Sequence, residues 1–393
     1  MDTNEDILII KLMNKILFDG TSAQSSSRAT FHGGGEYAKY ILNAAIEQGY
    51  KFDIVLSNKL YTDDSIKKLI EKHKEINVFN VDSKKEIYLL IEQNSYNTFY
   101  SVLPSSYNDY NCTAKLIGVI HGLRGAELPW DEFRCKYETQ YRKRLLGWII
   151  SHCGQIQYYL KKKHIDFSKR LLCVKNAAFI TVSNHTKNAL LAFYPELKPQ
   201  NIQVFYSPFS VKRIDVCEDK GDYFLMVSGN RFEKNIYRAV RVFDKLFSDN
   251  RLEGKRVVIT GCGKQPFWKE IMNRERFELL PYVSTDKLES LYEHAFCFVY
   301  PSLNEGFGYP PLKAMAYGTP VIASSATSIP EVCDDAACYF SPTNEDDLAA
   351  RILRIYYDDD YRSLLVNRGI MRVKELQKRQ TCELEKLLKM IFM

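Results

Sequence analysis

The stretch Tyr300-Pro301-Ser302-Leu303-Asn304-Glu305-Gly306-Phe307-Gly308-Tyr309-Pro310-Pro311-Leu312-Lys313 carries the densest chemistry in the chain. An apolar run ending at Pro301 reads as a buried strand, and Gly306 and Gly308 mark the loop after it. The paired prolines suit a first helical turn, Gly318 a helix stop, and Val321 the start of another strand. Glu305 is thereby placed in a strand-to-helix loop, just ahead of a helix N-terminus. Free backbone N–H groups and the helix dipole attract phosphate at such a point. A carboxylate beside that pocket accepts hydrogen bonds from ligand hydroxyls, and glycines let backbone approach the ligand closely. A second loop supplies cations. Ser228-Gly229-Asn230-Arg231-Phe232-Glu233-Lys234-Asn235 follows another apolar run and sets Arg231 and Lys234 three apart at the entrance to a helix, suited to holding an anion.

Short β-rich runs alternate with helix-length segments almost throughout, the pattern of parallel sheets with crossover helices. In the first half the expected strands are Ile16–Phe18, Phe52–Ser57, Ile76–Val81, Thr98–Leu103, Leu116–His121 and Ala178–Ser183, with helices such as Glu36–Gln48 and Ser65–His73 between them. A fresh series begins with Tyr223–Ser228 and continues through Arg256–Thr260, Phe277–Tyr282, Cys297–Tyr300 and Val321–Ser324. At 393 residues two domains are the natural expectation. The charged, strand-poor stretch from Ser207 to Gly221 marks the boundary, giving domains over 1–208 and 209–372 and a helix over 373–393 that packs on the second domain or crosses back to the first. Ligands of doubly wound sheets bind at the carboxyl ends of strands, so two such domains facing each other place a site in the cleft between them.

The Glu305 segment resembles the large family of retaining glycosyltransferases of the GT-B fold, family 4 type, which includes bacterial mannosyl-, rhamnosyl- and glucosyltransferases. Its hallmark is E-G-F-G-x-P-x-x-E-A-M-A-x-G-x-P-V, and all of it is present here except the second glutamate, which is Lys313. The resemblance implies an α/β chain of two Rossmann-like domains and a hexosyltransferase using a UDP-, GDP- or dTDP-sugar as substrate, with no cofactor and no metal. It implies that Arg231 and Lys234 hold the donor diphosphate, Glu305 orients the sugar, and Gly229, Gly306, Phe307, Gly308 and Lys313 line the donor site. Thr260-Gly261-Cys262-Gly263-Lys264 resembles the family's second glycine turn. Pro281-Tyr282-Val283-Ser284 resembles the loop that seats the nucleotide base, with Val283 beside it. The first domain matches more loosely: Gly33-Gly34-Gly35 closes a long loop from Asp19 and stands where the family approaches donor phosphates and acceptor. His121, in Ile120-His121-Gly122, matches a family histidine near the reacting sugar. Ser183 and Asn184 resemble the turn at the cleft floor and also read as simple helix caps. In the family the leaving diphosphate helps deprotonate the incoming hydroxyl on one face of the sugar. Where the second glutamate is present it receives the ribose hydroxyls, and a lysine ammonium accepts no hydrogen bond.

The remaining features bound the setting. The ten cysteines are scattered without a CxxC pair or metal-ligand spacing and read as reduced thiols of a cytosolic protein. The opening Met1-Asp2-Thr3-Asn4-Glu5-Asp6 is unlike the basic start of a signal peptide, and no apolar run approaches the roughly 18 residues that span a bilayer. Asp358-Asp359-Asp360 contains an Asp-x-Asp but falls at a helix end, away from the glycine loops, and reads as surface. Net charge is +6 and uneven: Arg134 to Lys175 holds eleven Lys and Arg against Glu138 and Asp166, interleaved with Trp148, Tyr158 and Tyr159. Such a face is solvated, or rests on the anionic inner face of a membrane; nucleic acid is not expected to bind it. The acceptor expected is a glycan or lipid-linked glycan of surface polysaccharide assembly. Two other readings are a catalytically impaired sugar-nucleotide-binding partner protein, through the Lys313 change, and a GT-B nucleotide-sugar epimerase.

Overall fold

The structure, a computed structural model, describes residues 14–25, 33–128, 130–209, 211, 214, 216–217 and 219–393. Met1–Asp6, most of the Ser25–Ser27 tract, the middle of the loop between Asp19 and Gly35 and several positions of the 207–221 connection lie outside the described residues.

The chain forms two compact units, one made of Met1–Leu123, His164–Pro208 and Arg379–Met393, the other of Arg124–Lys163 and Phe209–Lys378. In the first unit β1 (Ile16–Asp19), β2 (Asp53–Ser57), β3 (Val78–Val81), β4 (Thr98–Ser101), β5 (Lys115–Ile120), β6 (Ala177–Thr181) and β7 (Ile202–Val204) form one parallel sheet in the order β3-β2-β1-β4-β5-β6-β7. In the second, β8 (Tyr223–Met226), β9 (Arg256–Ile259), β10 (Phe277–Leu279), β11 (Cys297–Tyr300), β12 (Val321–Ser324) and β13 (Ala337–Phe340) form another, in the order β10-β9-β8-β11-β12-β13. Each is a doubly wound Rossmann-like sheet whose strand order reverses beside its first strand, between β1 and β4 and between β8 and β11. Loops leaving two strands diverge at such a switch point and open a crevice there.

Strands buried on both faces must be apolar without alternation, and β8 (Tyr-Phe-Leu-Met) and β11 (Cys-Phe-Val-Tyr) are buried at every position. All eleven expected strands are present, most with trimmed ends. Thr98–Leu103 stops at Ser101 because Leu103 already caps a 3₁₀ turn over Pro104–Tyr107. Sequence reasoning assigned Gly33–Gly35 to the end of a loop; the structure starts a helix there, Gly33–Glu47, and buries Gly35 in its first turn. A side chain at Gly34 would meet Leu103 Cδ2 at 2.8 Å, which explains a small residue at that position. The final helix runs Asp359–Phe392. Its last turns belong to the first unit, where Leu387, Leu388, Ile391 and Phe392 are buried and the Phe392 ring lies 5.0 Å from Tyr50 and 5.2 Å from Phe52. Tyr206 N donates to Glu383 at 2.6 Å and Gln380 donates to Ser207 O, fixing the register of that contact.

Candidate donor site in the second unit

Two loops at the β8/β11 switch point build the site. The first leaves β8 through Gly229, where a Cβ would stand 2.7 Å from Cys262 Sγ, so only glycine lets this loop lie against the turn after β9. Gly229 N and Asn230 N donate to Thr260 O and Gly261 O, both at 2.9 Å, and Gly261 takes φ +68°. These bonds lace the two glycine turns together. Asn235 ends the loop in the left-handed region, φ 56°, and its buried side chain donates to Pro301 O at 3.1 Å and Pro342 O at 2.7 Å. Leu303 N then donates to Glu233 O at 2.8 Å, tying the β8 loop to the loop after β11.

Between these pins sits an ion pair. Lys234 Nζ donates to Glu305 Oε1 at 2.6 Å and to the Tyr300 hydroxyl at 3.1 Å, and Ser302 Oγ donates to the same carboxylate oxygen at 2.6 Å. The side chains of Lys234 and Glu305 are only 9% and 12% exposed, so the pair is held out of water. Burial alone would raise the carboxyl pKa of Glu305; the Lys234 charge and the hydrogen bonds from Lys234, Ser302 and Tyr300 outweigh it and hold the group below the usual carboxylate range. Thr327 Oγ1 accepts from Glu305 N at 2.9 Å, and Ser328 Oγ donates to Glu305 O at 3.0 Å and Phe307 O at 2.9 Å, fixing the loop backbone. The helix beyond runs Tyr309–Ala316, with Gly308 at φ +104° as its cap, Pro310 and Pro311 in its first turn and Gly318 at φ +64° just past its end.

Arg231 lies beside this pair with a different partner. Its Nε and Nη2 donate to Glu233 Oε1 at 2.9 and 2.5 Å, and Arg124 Nη1 reaches the same oxygen at 2.8 Å. Two guanidinium groups on one carboxylate leave a net positive charge, with the Arg231 side chain 38% exposed and available to an anion. Burial raises the Glu233 pKa, but Arg124 and Arg231 outweigh it and pull the group below its usual range. Asn304 Nδ2 also donates to Glu127 Oε2 at 3.2 Å, so the short Arg124–Glu127 helix touches both loops. Tyr282 donates to Asn230 Oδ1 at 3.2 Å, while Val283 beside it is half-buried. Lys313, in the last turn of that helix, is half-buried and makes no hydrogen bond or ion pair with the described residues.

Arg231, Lys234, Glu305, Gly229 and Gly306–Gly308 are thus gathered on two adjoining loops, whereas Gly34, Gly35 and His121 belong to the first unit. There the His121 ring packs edge-on to Tyr37 at 5.1 Å, on the helix that Gly34 and Gly35 begin. Ser183 caps its helix by accepting from Thr186 N at 3.1 Å, and Asn184 is the first helical residue. Asp358 likewise accepts from Tyr361 N at 2.9 Å. Sequence reasoning gave no role to Tyr300, Ser302, Glu233, Arg124 or Thr327. The first three lie within the quoted motifs; Arg124 stands more than a hundred positions from Glu233 and no spacing rule reaches it. Nor did it single out Asp19, a buried carboxylate accepting from Ser101 Oγ at 2.6 Å and Tyr107 OH at 3.1 Å, which ties the ends of β1 and β4 together.

Two depressed carboxyls give a signed pH dependence. Folded pKa values below the ordinary 4.5 mean that Glu305 and Glu233 contribute stability that is present above about that pH and lost as pH falls through the folded values. Thermal unfolding followed from pH 7 to 3 is expected to show a steep acid limb, and Glu305→Gln to make that limb shallower.

Known proteins share the fold. Crystals of Anabaena Alr3699/HepE in complex with UDP superpose on 96% of this chain and 99% of that one with a TM-score of 0.64 at 13% identity, which shows the fold: two parallel-sheet Rossmann-like domains of the GT-B type. Residues 212–372, the span that holds both loops, match the family model Glycosyl transferases group 1. O-antigen chain mannosyltransferase B of Escherichia coli is 33% identical over 158 residues, 39% of this chain and 42% of that protein. O-antigen chain mannosyltransferase RfbU of Salmonella typhimurium strain LT2 is 30% identical over 196 residues, 48% of this chain and 53% of that protein. The chain therefore spans about half the length of the curated relatives it matches.

Proposed function

We propose that the protein is a retaining glycosyltransferase of the family 4 type, moving a hexose from a nucleotide diphosphate sugar to a glycan or lipid-linked glycan in surface polysaccharide assembly. The observation that carries this reading is the Lys234–Glu305 pair beside Arg231 at the β8/β11 switch point, inside the span matching group 1 glycosyltransferases. The relatives' names, O-antigen chain mannosyltransferases, support mannose as the first sugar to test and an acceptor of the same class. The proposed acceptor side is 1–208 apart from Arg124–Lys163, which belongs to the second unit, and the donor side is 209–372. Such an acceptor brings the enzyme to the inner, cytoplasmic face of a membrane.

In this reading Arg231 and Lys234 neutralise the donor diphosphate and Glu305 accepts hydrogen bonds from sugar hydroxyls. Gly306–Gly308 admit the ligand to the backbone, Gly229 shapes the phosphate loop, and Val283 lies beside the base. Gly34, Gly35 and His121, in the first unit, are assigned to the sugar and acceptor side of the reaction. The bond from the anomeric carbon to the diphosphate oxygen breaks as the acceptor oxygen bonds to the same face of that carbon. The acceptor proton passes to the leaving diphosphate. Negative charge grows on phosphate during the step, so fixed cations lower the barrier with little reorganisation. A metal is not needed for that charge.

Incubation with GDP-, UDP- and dTDP-sugars and a lipid-linked glycan fraction tests the reading by nucleoside diphosphate release and product mass. Acceptor-dependent release with the donor's anomeric configuration kept in the product supports it; an inverted anomer removes the retaining mechanism, and an epimerised donor without release removes the transferase. Lys313 adds a prediction. Its ammonium takes the place from which a carboxylate would receive ribose hydroxyls, so Lys313→Glu is expected to shift donor preference about tenfold, the effect of one charged hydrogen bond. An unchanged preference and affinity across the three nucleotides would remove Lys313 from donor recognition.

A further inference from the structure

We infer that the helix Tyr141–His152 is an interfacial anchor that lays one face on an anionic lipid surface. The inference specifies the membrane position proposed above, and it stands on features of the second unit alone. No side chain of this helix is buried. Tyr141, Leu145, Trp148 and Ile149, spaced i, i+4, i+7 and i+8, fall on one side of it and are 79%, 47%, 51% and 41% exposed. Arg142 flanks that stripe and is exposed, so that its long side chain can reach headgroups while its stem lies along apolar surface, whereas Arg144 is half-buried on the side toward Cys135 and Glu270. The opposite side carries Gly147, whose missing side chain lets the helix lie close to Cys135: a Cβ there would stand 3.5 Å from Cys135 Cβ. Packing on that side turns the apolar stripe outward.

The neighbouring segment is also exposed and basic. Gln157 Nε2 donates to Ile150 O at 3.0 Å and Ser151 O at 2.8 Å, capping the first helix and fixing the start of the next, Gly154–Leu172. Tyr158 and Tyr159 stand 71% and 65% exposed on it. From Tyr141 to Lys163 the sequence has six Lys and Arg and no Asp or Glu. That charge decides the occupant. A second copy laid on the same face would bring like charges together, whereas anionic headgroups are complementary and aromatic rings suit the headgroup level. No described helix is long and apolar enough to cross a membrane, so the contact assigned here is along the surface.

The full chain is tested by co-sedimentation with phosphatidylcholine vesicles with and without phosphatidylglycerol. Strong binding is expected only with the anionic lipid. Each cation near such a surface contributes about fivefold in partitioning, so Arg142→Gln/Lys143→Gln/Arg144→Gln is expected to bind roughly a hundredfold more weakly. Leu145→Ser/Trp148→Ser is expected to weaken binding while leaving circular dichroism and the unfolding midpoint unchanged. Because binding is read without turnover, it fails or succeeds independently of the transferase reading. Absence of binding to anionic vesicles, equal binding by both variants, or a dimer that these substitutions dissociate without any effect on vesicles would overturn the proposal, as would binding of oligonucleotide in preference to lipid.

Discussion

Lys234→Ala is expected to destabilise the protein by about 3–5 kcal/mol and to slow sugar transfer about 10²- to 10³-fold. The two losses have different causes. The stability loss comes from Glu305, left nearly buried with its charge uncompensated once the 2.6 Å contact is gone. Loss of turnover would come from removing the cation proposed to hold the diphosphate. A Lys234→Met/Glu305→Gln double variant separates them: with no buried charge it should regain most of the unfolding midpoint, while transfer stays at the level of the single variant or below. Denaturant unfolding and nucleoside diphosphate release on the same preparations read both. Recovery of turnover along with stability would mean that Lys234 matters only for folding.

The second large effect lies far from the chemistry. Removing Arg379–Met393 takes away Leu387, Leu388, Ile391 and Phe392, all buried in the first unit. At about 1.5–3 kcal/mol for each buried side chain the loss is roughly 6–12 kcal/mol, comparable with the whole stability of a domain. The first unit is therefore expected to unfold. The three tryptophans, Trp130, Trp148 and Trp268, all lie in the second unit. Tryptophan fluorescence should consequently keep its cooperative transition, while the circular dichroism signal falls by the share of the first unit. Phe392→Ala, which removes the ring stacked on Tyr50 and packed at a tilt against Phe52, is the milder form, expected to cost about 3–5 kcal/mol. A truncated chain with full circular dichroism and an unchanged midpoint would contradict this packing.

The fold was legible where burial writes itself into composition. β8 and β11 are apolar at every position because both faces are covered, and they stand out as runs without alternation. β7 and β13 escaped for the converse reason. Ile202–Val204 is three residues long with an exposed Gln203, and Ala337–Phe340 is a four-residue run opening on Ala-Cys shortly after the polar Asp334-Asp335, so neither is long enough to stand out apart from its parallel partner. The glycine run at 33–35 was misplaced because three glycines predict a loop by propensity; in the structure Gly34 lies within the helix's first turn, where the Leu103 side chain packs close to it. In the donor site, the loop positions of Arg231, Lys234 and Glu305 followed from strand ends and helix starts. What the sequence concealed is their pairing. Lys234 bonds to Glu305 and Tyr300 across 66 to 71 positions of chain, contacts that exist because β8 and β11 are neighbours in the sheet, and Arg124, on the short helix after β5, meets Glu233 across more than a hundred.

Arg124 and Glu233 refine the account of the cations. Arg231 is held by a carboxylate that it shares with Arg124, an arrangement that fixes its guanidinium in place before any anion arrives. Lys234, by contrast, begins bound to Glu305, the residue proposed to receive sugar hydroxyls. A donor occupying the site would place phosphate beside the ammonium and hydroxyls beside the carboxylate, so both halves of the pair gain partners together.

The most direct measurement is calorimetric titration of the full chain with GDP, UDP and dTDP, compared with an Arg231→Ala/Lys234→Met/Glu305→Gln variant. In that variant the buried pair is neutral, so a folded protein is compared with a folded protein. The account predicts that at least one nucleoside diphosphate binds the wild-type chain and that its affinity falls at least a hundredfold in the variant, as loss of two charged phosphate contacts requires. Absence of binding by all three, or equal binding by the variant, would contradict a donor site at the β8/β11 switch point.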